Sequence, residues 1–248
     1  MPAPFLGPRL AAAQHSTLFS ATLQPTRFYA DLLGLPADHV CVDVASPFDA
    51  TQLQVRIASH ISTRHRHRGA SLEPIVELMA RQFEERPGNY LAFFSSHEYL
   101  QQVADLLALR HPRLPSWRQT RGMREAEQRQ FLDRFTEAGR GIGFAVLGGA
   151  FAEGIDLPGR RLIGAFLSTL GLPQVNPVNE QFRRRMGSMF GAGYDYAYLY
   201  PGLQKVVQAA GRVIRTPSDR GVIHLIDDRF RRDEVKRLLP SWWRHAPG

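Results

Sequence analysis

The segment Gln208-Ala209-Ala210-Gly211-Arg212-Val213-Ile214-Arg215, with Asp219-Arg220-Gly221 just behind it, carries the side chains best suited to chemistry. On a helix, two arginines three residues apart share one face, and Gln208, four before Arg212, joins them. Gly211 leaves the backbone beside Arg212 bare, so another surface can approach closely. Guanidinium forks match phosphate oxygens in pairs, so this face suits a polyphosphate. The plain alternative is a solvated basic helix, which an isolated Arg-x-x-Arg more often is.

A second group lies in Gly148-Gly149-Ala150-Phe151-Ala152-Glu153-Gly154-Ile155-Asp156-Leu157-Pro158-Gly159. It follows the apolar run Ile142–Leu147, so a flexible turn is expected to bring Glu153 and Asp156 to the edge where α/β domains bind ligands. Paired acids suit general acid–base work, but no histidine or nucleophile lies close in sequence, and turn acids commonly fix loop backbone. Ser95-Ser96 follows the apolar run Tyr90–Phe94 and opens a helix, with Ser95 and Glu98 at capping-box spacing. Arg64-His65-Arg66-His67-Arg68 is a cationic loop that fits phosphate contact or plain solvation equally, and its histidines lack a third metal ligand. Phe182-Arg183-Arg184-Arg185 is basic, and Tyr194, Tyr196, Tyr198 and Tyr200 alternate behind it. Cations mixed with aromatics suit single-stranded nucleic acid. The alternate tyrosines equally fit the packed face of a strand.

The elements that must position these groups read as alternating strands and helices. Strands are expected at Thr17–Leu23, His39–Val44, Leu53–Ala58, Tyr90–Phe94, Trp117–Gln119, Ile142–Leu147, Leu162–Leu167 and Val222–Ile226. Helices are expected at Thr26–Leu33, from Ser71 as N-cap to Phe83, after Ser95 to Arg110, over Arg124–Glu137, and over Asp228–Leu239. Apolar strands alternating with amphipathic helices imply an α/β domain whose sheet is mostly parallel. Residues 1–15 read as a loose lead-in, residues 16–248 as one domain, and residues 170–201 as an insertion before the Gln208 helix. Trp242-Trp243 fits a core plug at a helix end better than a partner contact.

Bulk properties set the bounds. The 248 residues are 44% hydrophobic, enough for a real core, and the net charge of +8 points to a polyanionic partner. Only Lys205 and Lys236 among 31 lysines plus arginines are lysine, a bias consistent with a GC-rich genome. Cys41 is the sole cysteine, which rules out an internal disulfide or a cysteine cluster for zinc or iron–sulfur in this chain. No run has the length of a membrane span, and Met1-Pro2-Ala3-Pro4 lacks a signal-peptide layout. A soluble, cytoplasmic chain without a membrane or metal partner is expected.

Ser20-Ala21-Thr22, Phe93-Phe94-Ser95-Ser96, Glu153-Gly154-Ile155-Asp156-Leu157-Pro158-Gly159 and Gln208–Arg215 occur in the order of the later motifs of superfamily 2 helicases. The forms Glu-Gly-Ile-Asp-x-Pro-Gly and Asp219-x-Gly221 through Asp227-Asp228-Arg229-Phe230 resemble the XPD/DinG branch, and the resemblance runs from Thr17 to Phe230. It implies a RecA-like three-layer fold, the second motor domain of an ATP-dependent DNA helicase. The chain has no G-x-x-x-x-G-K-[ST] loop and no Asp-Glu-x-His segment. The resemblance therefore implies that the ATP-binding first domain, which shares ATP and Mg²⁺ with this one and can carry a 4Fe-4S cluster, lies upstream. It further implies 5′-to-3′ movement on single-stranded DNA, a role in repair, a monomer, and no activity of the isolated domain. In such motors Arg212 and Arg215, with Gln208, would reach the γ-phosphate in trans. Glu153, Gly154, Asp156 and Gly211 would line the nucleotide cleft. Ser95 and Ser96 would contact DNA phosphates, as would the basic Arg183 and Arg184, and Ser20 and Thr22 would link the two domains. A stand-alone nucleic-acid-binding adaptor with a degenerate cleft, or an RNA helicase domain, remains open as an alternative.

Overall fold

A computed structural model describes residues 2–151, 155–243 and 245–247. Its residues group into two compact units, one formed by residues 1–46 and 173–204, the other by 47–172 and 205–248. In chain order the elements are α1 (Ala3–Ala12), α2 (Thr26–Leu33), β1 (Leu53–Ile57), α3 (Arg68–Glu85), β2 (Asn89–Phe94), α4 (His97–Arg110), β3 (Ser116–Arg118) and α5 (Glu125–Asp133). They continue with β4 (Gly141–Val146), β5 (Gly164–Ser168), α6 (Pro177–Phe190), α7 (Tyr200–Ala210), β6 (Gly221–Leu225), α8 (Asp233–Lys236) and β7 (His245–Pro247).

The larger unit is an α/β domain. Its strands form one sheet in the order β3-β4-β2-β5-β6-β1-β7, with every pairing parallel. Every residue of β2, β5 and β6 is buried, as strands covered on both faces require. On one face Tyr90, Ala92, Phe94, Phe144 and Phe166 pack with Ile75, Met79, Leu100 and Val103 of α3 and α4. On the other, Gly143 brings β4 close to Phe131 and Phe135, which pack around Trp117. The expected strands that belong to this sheet are present to within about two residues. Trp243 is buried and Trp242 lies against Phe48, so the tryptophan pair packs at the end of the chain.

The smaller unit departs from expectation. Residues 3–12 are helical rather than loose, because Gly7 lets α1 cross the α2 cap, where the carbonyl of Gly34 would meet a Cβ at 2.9 Å. Thr17–Leu23 and His39–Val44 form no strand. No strand in the described part of this unit offers them a ladder, and Val40, Val42 and Val44 stay exposed. Of the alternate tyrosines, Tyr196 and Tyr198 lie in a π-helical turn, Asp195–Leu199, bounded by Tyr194 and Tyr200; Tyr196 packs on Phe28 and Tyr198 donates to Glu180 at 2.7 Å. Among the described residues no helix is long and apolar enough to cross a membrane.

Several helix starts also shift. Ser71 lies inside α3, where its hydroxyl meets Tyr99 Oη at 2.6 Å, so the helix begins three residues earlier. The segment expected as one helix over 228–239 breaks at Arg232, which is extended, leaving a 3₁₀ turn at Asp228–Arg231 and the short α8.

A buried polar network crosses one face of the larger unit. The ring of His224 stacks on Phe166, and its Nε2 meets Gln82 Oε1 at 2.7 Å. That carbonyl oxygen also accepts from Arg56, which forks onto Glu85 at 2.8 Å. Burial, helped by the Arg56 cation, pushes the imidazole down to about 3, so the folded protein holds it neutral. The unfolded chain binds a proton there below about 6.5, so this stabilisation is complete above that pH and is lost as pH falls toward 3. Urea titrations between pH 7 and 4 should show stability falling with acid by up to about 1.4 kcal/mol per pH unit from this residue. His224→Gln, which keeps an N–H for Gln82 but cannot titrate, should remove that part of the slope, and an unchanged slope would assign the acid sensitivity elsewhere.

Candidate nucleotide and nucleic-acid site

The arginine segment is not a helical face. α7 ends at Ala210, and the chain turns away through Gly211, with Arg212 N–H reaching Ala209 at 3.3 Å and Val213 N–H reaching Ala210 at 3.1 Å. Val213 and Ile214 are buried, and Val213 packs against Gly221, the first residue of β6. Gly211 is exposed on this turn, and Gln208 is half-buried on the last turn of α7.

Although the helix stops, both arginines converge on one stretch of the post-β4 loop. Arg212 Nη1 donates to the carbonyl of Ile155 at 2.9 Å, and Arg215 Nε meets Asp156 Oδ1 at 3.0 Å. Asp219 holds this arrangement. Its carboxylate accepts from the backbone N–H groups of Arg215 and Thr216 at 2.7 Å, from Thr216 Oγ1 at 2.8 Å, and from Gly159 N–H at 3.1 Å. Burial alone would raise its pKa, but the hydrogen bonds from Arg215, Thr216 and Gly159 outweigh it and hold the group below its ordinary range. Gln52, itself buried, donates from one amide nitrogen toward the carbonyls of Thr216, Pro217 and Asp219.

This cluster lies toward the amino-terminal ends of β5 and β6, since Asp219 and Val213 flank the start of β6 and Gly159 precedes β5. The expectation that Asp156 sits at the carboxyl edge is thus corrected: Asp156 lies beside Arg215, near the start of β6. Glu153 and Gly154 lie outside the described residues.

A different group occupies the carboxyl edge. Ser95 is exposed directly after β2, and Ser96 is the N-cap of α4, accepting from Tyr99 N–H at 3.2 Å, one residue later than the predicted cap. Arg68, from the cationic run, donates to Ser95 Oγ at 2.8 Å and lies 5.1 Å from the Tyr99 ring centre. Gly148, at φ +80°, follows β4 next to β2, and the Lys205 side chain passes 3.4–3.6 Å from where its Cβ would be. Arg68 and Lys205 therefore join the predicted serines at this edge. Arg68 belongs to the cationic run that fits phosphate contact, whereas Lys205 carried no such signal in the sequence.

Arg183 and Arg184 lie on α6 in the smaller unit. Arg183 is paired with Glu180 at 3.0 Å, while Arg184 is exposed. Among the described residues no three His, Cys, Asp or Glu side chains gather as a metal site.

With this geometry in place, a family model described as the helicase C-terminal domain matches residues 79–246. The chain belongs to the helicase C-terminal domain family. This helicase domain is 26% identical over 236 residues to a probable ATP-dependent helicase of Methanocaldococcus jannaschii, covering 89% of the chain and 35% of that relative. It is 32% identical over 117 residues to the ATP-dependent DNA helicase chl-1 of Caenorhabditis elegans, covering 44% of the chain and 14% of the relative. It is 25% identical over 177 residues to the general transcription and DNA repair factor IIH helicase subunit XPD of Arabidopsis thaliana, covering 63% and 22%. The chain thus spans about a third or less of these relatives. A solved XPD helicase superposes with a TM-score of 0.71 at 18% identity, over 92% of this chain and 42% of that one, and a second XPD structure, without ligand, does so with the same score at 17%. Those superpositions establish the RecA-like helicase fold.

In this helicase domain the Asp219 clamp should be a stability determinant as well as a positioning device. Asp219→Asn removes the charge that four donors share, and urea unfolding of this chain should show a loss of about 2–4 kcal/mol at pH 7. Because the folded pKa is depressed, the wild-type advantage should be present above the ordinary carboxylate range and vanish as pH falls through the folded value. A loss near zero at pH 7 would show that the loops are held without Asp219.

Proposed function

We propose that this chain is the second motor domain of an ATP-dependent DNA helicase that moves 5′ to 3′ on single-stranded DNA and acts in repair. ATP would bind on a first domain of the same protein, with Arg212 and Arg215 reaching it in trans. The observation that carries this reading is the convergence of both arginines on Ile155–Asp156 under the Asp219 clamp. The similarity to DNA helicases supports the choice of nucleic acid and of reaction.

The Arg215 contact supports a readiness to exchange partners. The Arg215–Asp156 pair is well exposed, with side chains 39% and 66% accessible, and such pairs contribute only about 0–1 kcal/mol. Exchanging a carboxylate for a phosphate oxygen therefore costs the protein little, whereas the backbone behind Arg215 stays fixed by Asp219. Arriving as the γ-phosphoryl group develops charge, the guanidinium groups would stabilise the transition state, an effect on the order of 10³–10⁵ in rate. Gln208 and Gly211 would border the same contact, and Glu153 and Gly154 would line the same cleft.

Asp156, paired with Arg215, would in turn couple nucleotide state to DNA grip. A change at the nucleotide would thereby reach the carboxyl edge. There, the N-terminus of α4, the Ser95 and Ser96 hydroxyls and the Arg68 and Lys205 cations would hold DNA phosphates, with Arg184 as a further contact in the smaller unit.

In the full-length protein, Arg212→Ala should reduce DNA-stimulated ATP turnover by 10³-fold or more. Binding of single-stranded DNA, measured by anisotropy on the same preparation, should change little. Turnover at the wild-type rate would show that Arg212 is not a finger.

A further inference from the structure

The smaller unit contains a cavity of about 300 Å³ that no part of the motor assignment uses. Four aromatic rings line it, those of Phe28, Phe190, Tyr196 and Tyr200, with Arg27 and Asp195 supplying charge. The rings fix one another. Phe28 meets Tyr196 edge-on at 5.0 Å and Tyr200 edge-on at 5.4 Å, and Phe190 stacks on Tyr196 at 5.6 Å. Tyr196 is anchored from beneath, its hydroxyl donating to Asp31 at 2.5 Å. The walls are thus set before any ligand arrives, which lowers the entropy cost of binding.

Size and charge narrow the occupant. The volume lies at the lower limit of small-molecule sites, about 300–1,000 Å³, and fits a single planar heterocycle better than a helix or an extended peptide. Arg27 lines the cavity with a side chain 79% exposed, so its guanidinium stands at the mouth. The helix that ends in the wall at Phe190 carries Arg184 and Arg185, both exposed, about 8–9 Å back along its axis. An aromatic slot flanked by exposed arginines is the combination that single-stranded nucleic acid demands, because each nucleotide offers a base face and a phosphate.

We propose that this cavity receives one unstacked base of single-stranded DNA, with Arg27 and Arg184 on the neighbouring phosphates. The proposal rests on the reading of the chain as a DNA motor and adds to it a base contact, where the carboxyl edge offers only phosphate contacts. A stacked base resists sliding, so the smaller unit would grip the strand in a manner that salt weakens less than it weakens the phosphate contacts.

The test compares an ordinary single-stranded oligonucleotide with an abasic strand of equal length, by anisotropy at low salt, using this chain. Wild type should bind the ordinary strand on the order of tenfold more tightly, and Phe190→Leu should bring that ratio close to one. A 2-aminopurine placed in the strand should be quenched on binding. If Phe190→Leu keeps the wild-type ratio, or if wild type binds both strands equally, the base pocket is wrong while the DNA-binding reading stands. No binding to either strand overturns both. Should Phe190→Leu lose its cooperative thermal transition, quenching with wild type decides alone, and unquenched 2-aminopurine in a bound strand rejects the pocket.

Discussion

The buried carboxylate of Asp219 is the constraint on which the proposed nucleotide contact depends. Four donors from three residues meet on it, three of them from Arg215 and Thr216 at the end of the arginine segment and one from Gly159 in the loop that carries Asp156. A charged acceptor shared in this way is worth more than a neutral one, and it is costly to leave partly filled. It therefore fixes two loops against each other that belong to distant parts of the sequence. Gln52 adds a second brace from β1's approach, donating to three carbonyls of the same loop. Arg215 is consequently placed by backbone anchoring, while its tip meets Asp156 in an exposed ion pair. That division suits a group that must exchange partners without losing its position.

The sheet then sets two sites apart. All strands run parallel, so each loop leads either to the carboxyl or to the amino edge. Ser95, Ser96, Arg68, Gly148 and Lys205 gather at the carboxyl edge, whereas Arg212, Arg215 and Asp156 gather near the start of β6. Two segments connect them: the loop from Gly148 to Gly159 and the last turns of α7 from Lys205 to Ala210. Ala209 and Ala210 are fully buried, so this part of α7 is tightly seated.

The parts of this fold legible in the sequence were those with a strong local signal. Continuous apolar runs such as Tyr90–Phe94 became buried central strands, and Thr26–Leu33, closed by Gly34, matched its helix. What could not be read depended on partners far away in sequence. Thr17–Leu23 and His39–Val44 look β-prone, yet among the described residues of the smaller unit no strand offers them a ladder. The alternate tyrosines suggested a strand, but the contacts of Tyr196 with Phe28 and Asp31 favoured a helical turn. Likewise Arg212 and Arg215 look like a helical pair because three-residue spacing is a local rule. Their common direction arises instead from Asp219, whose role no spacing announces, and from Gln52, about 160 residues upstream.

The central claim is that these arginines bind the phosphoryl group in its transition state. The most direct measurement is the affinity of the full-length protein for ADP with aluminium fluoride, a mimic of that state, compared with its affinity for ADP alone. Arg215→Ala should weaken the mimic by 100-fold or more while changing ADP binding by less than about threefold. Equal affinity of wild type and variant for the mimic would contradict the account.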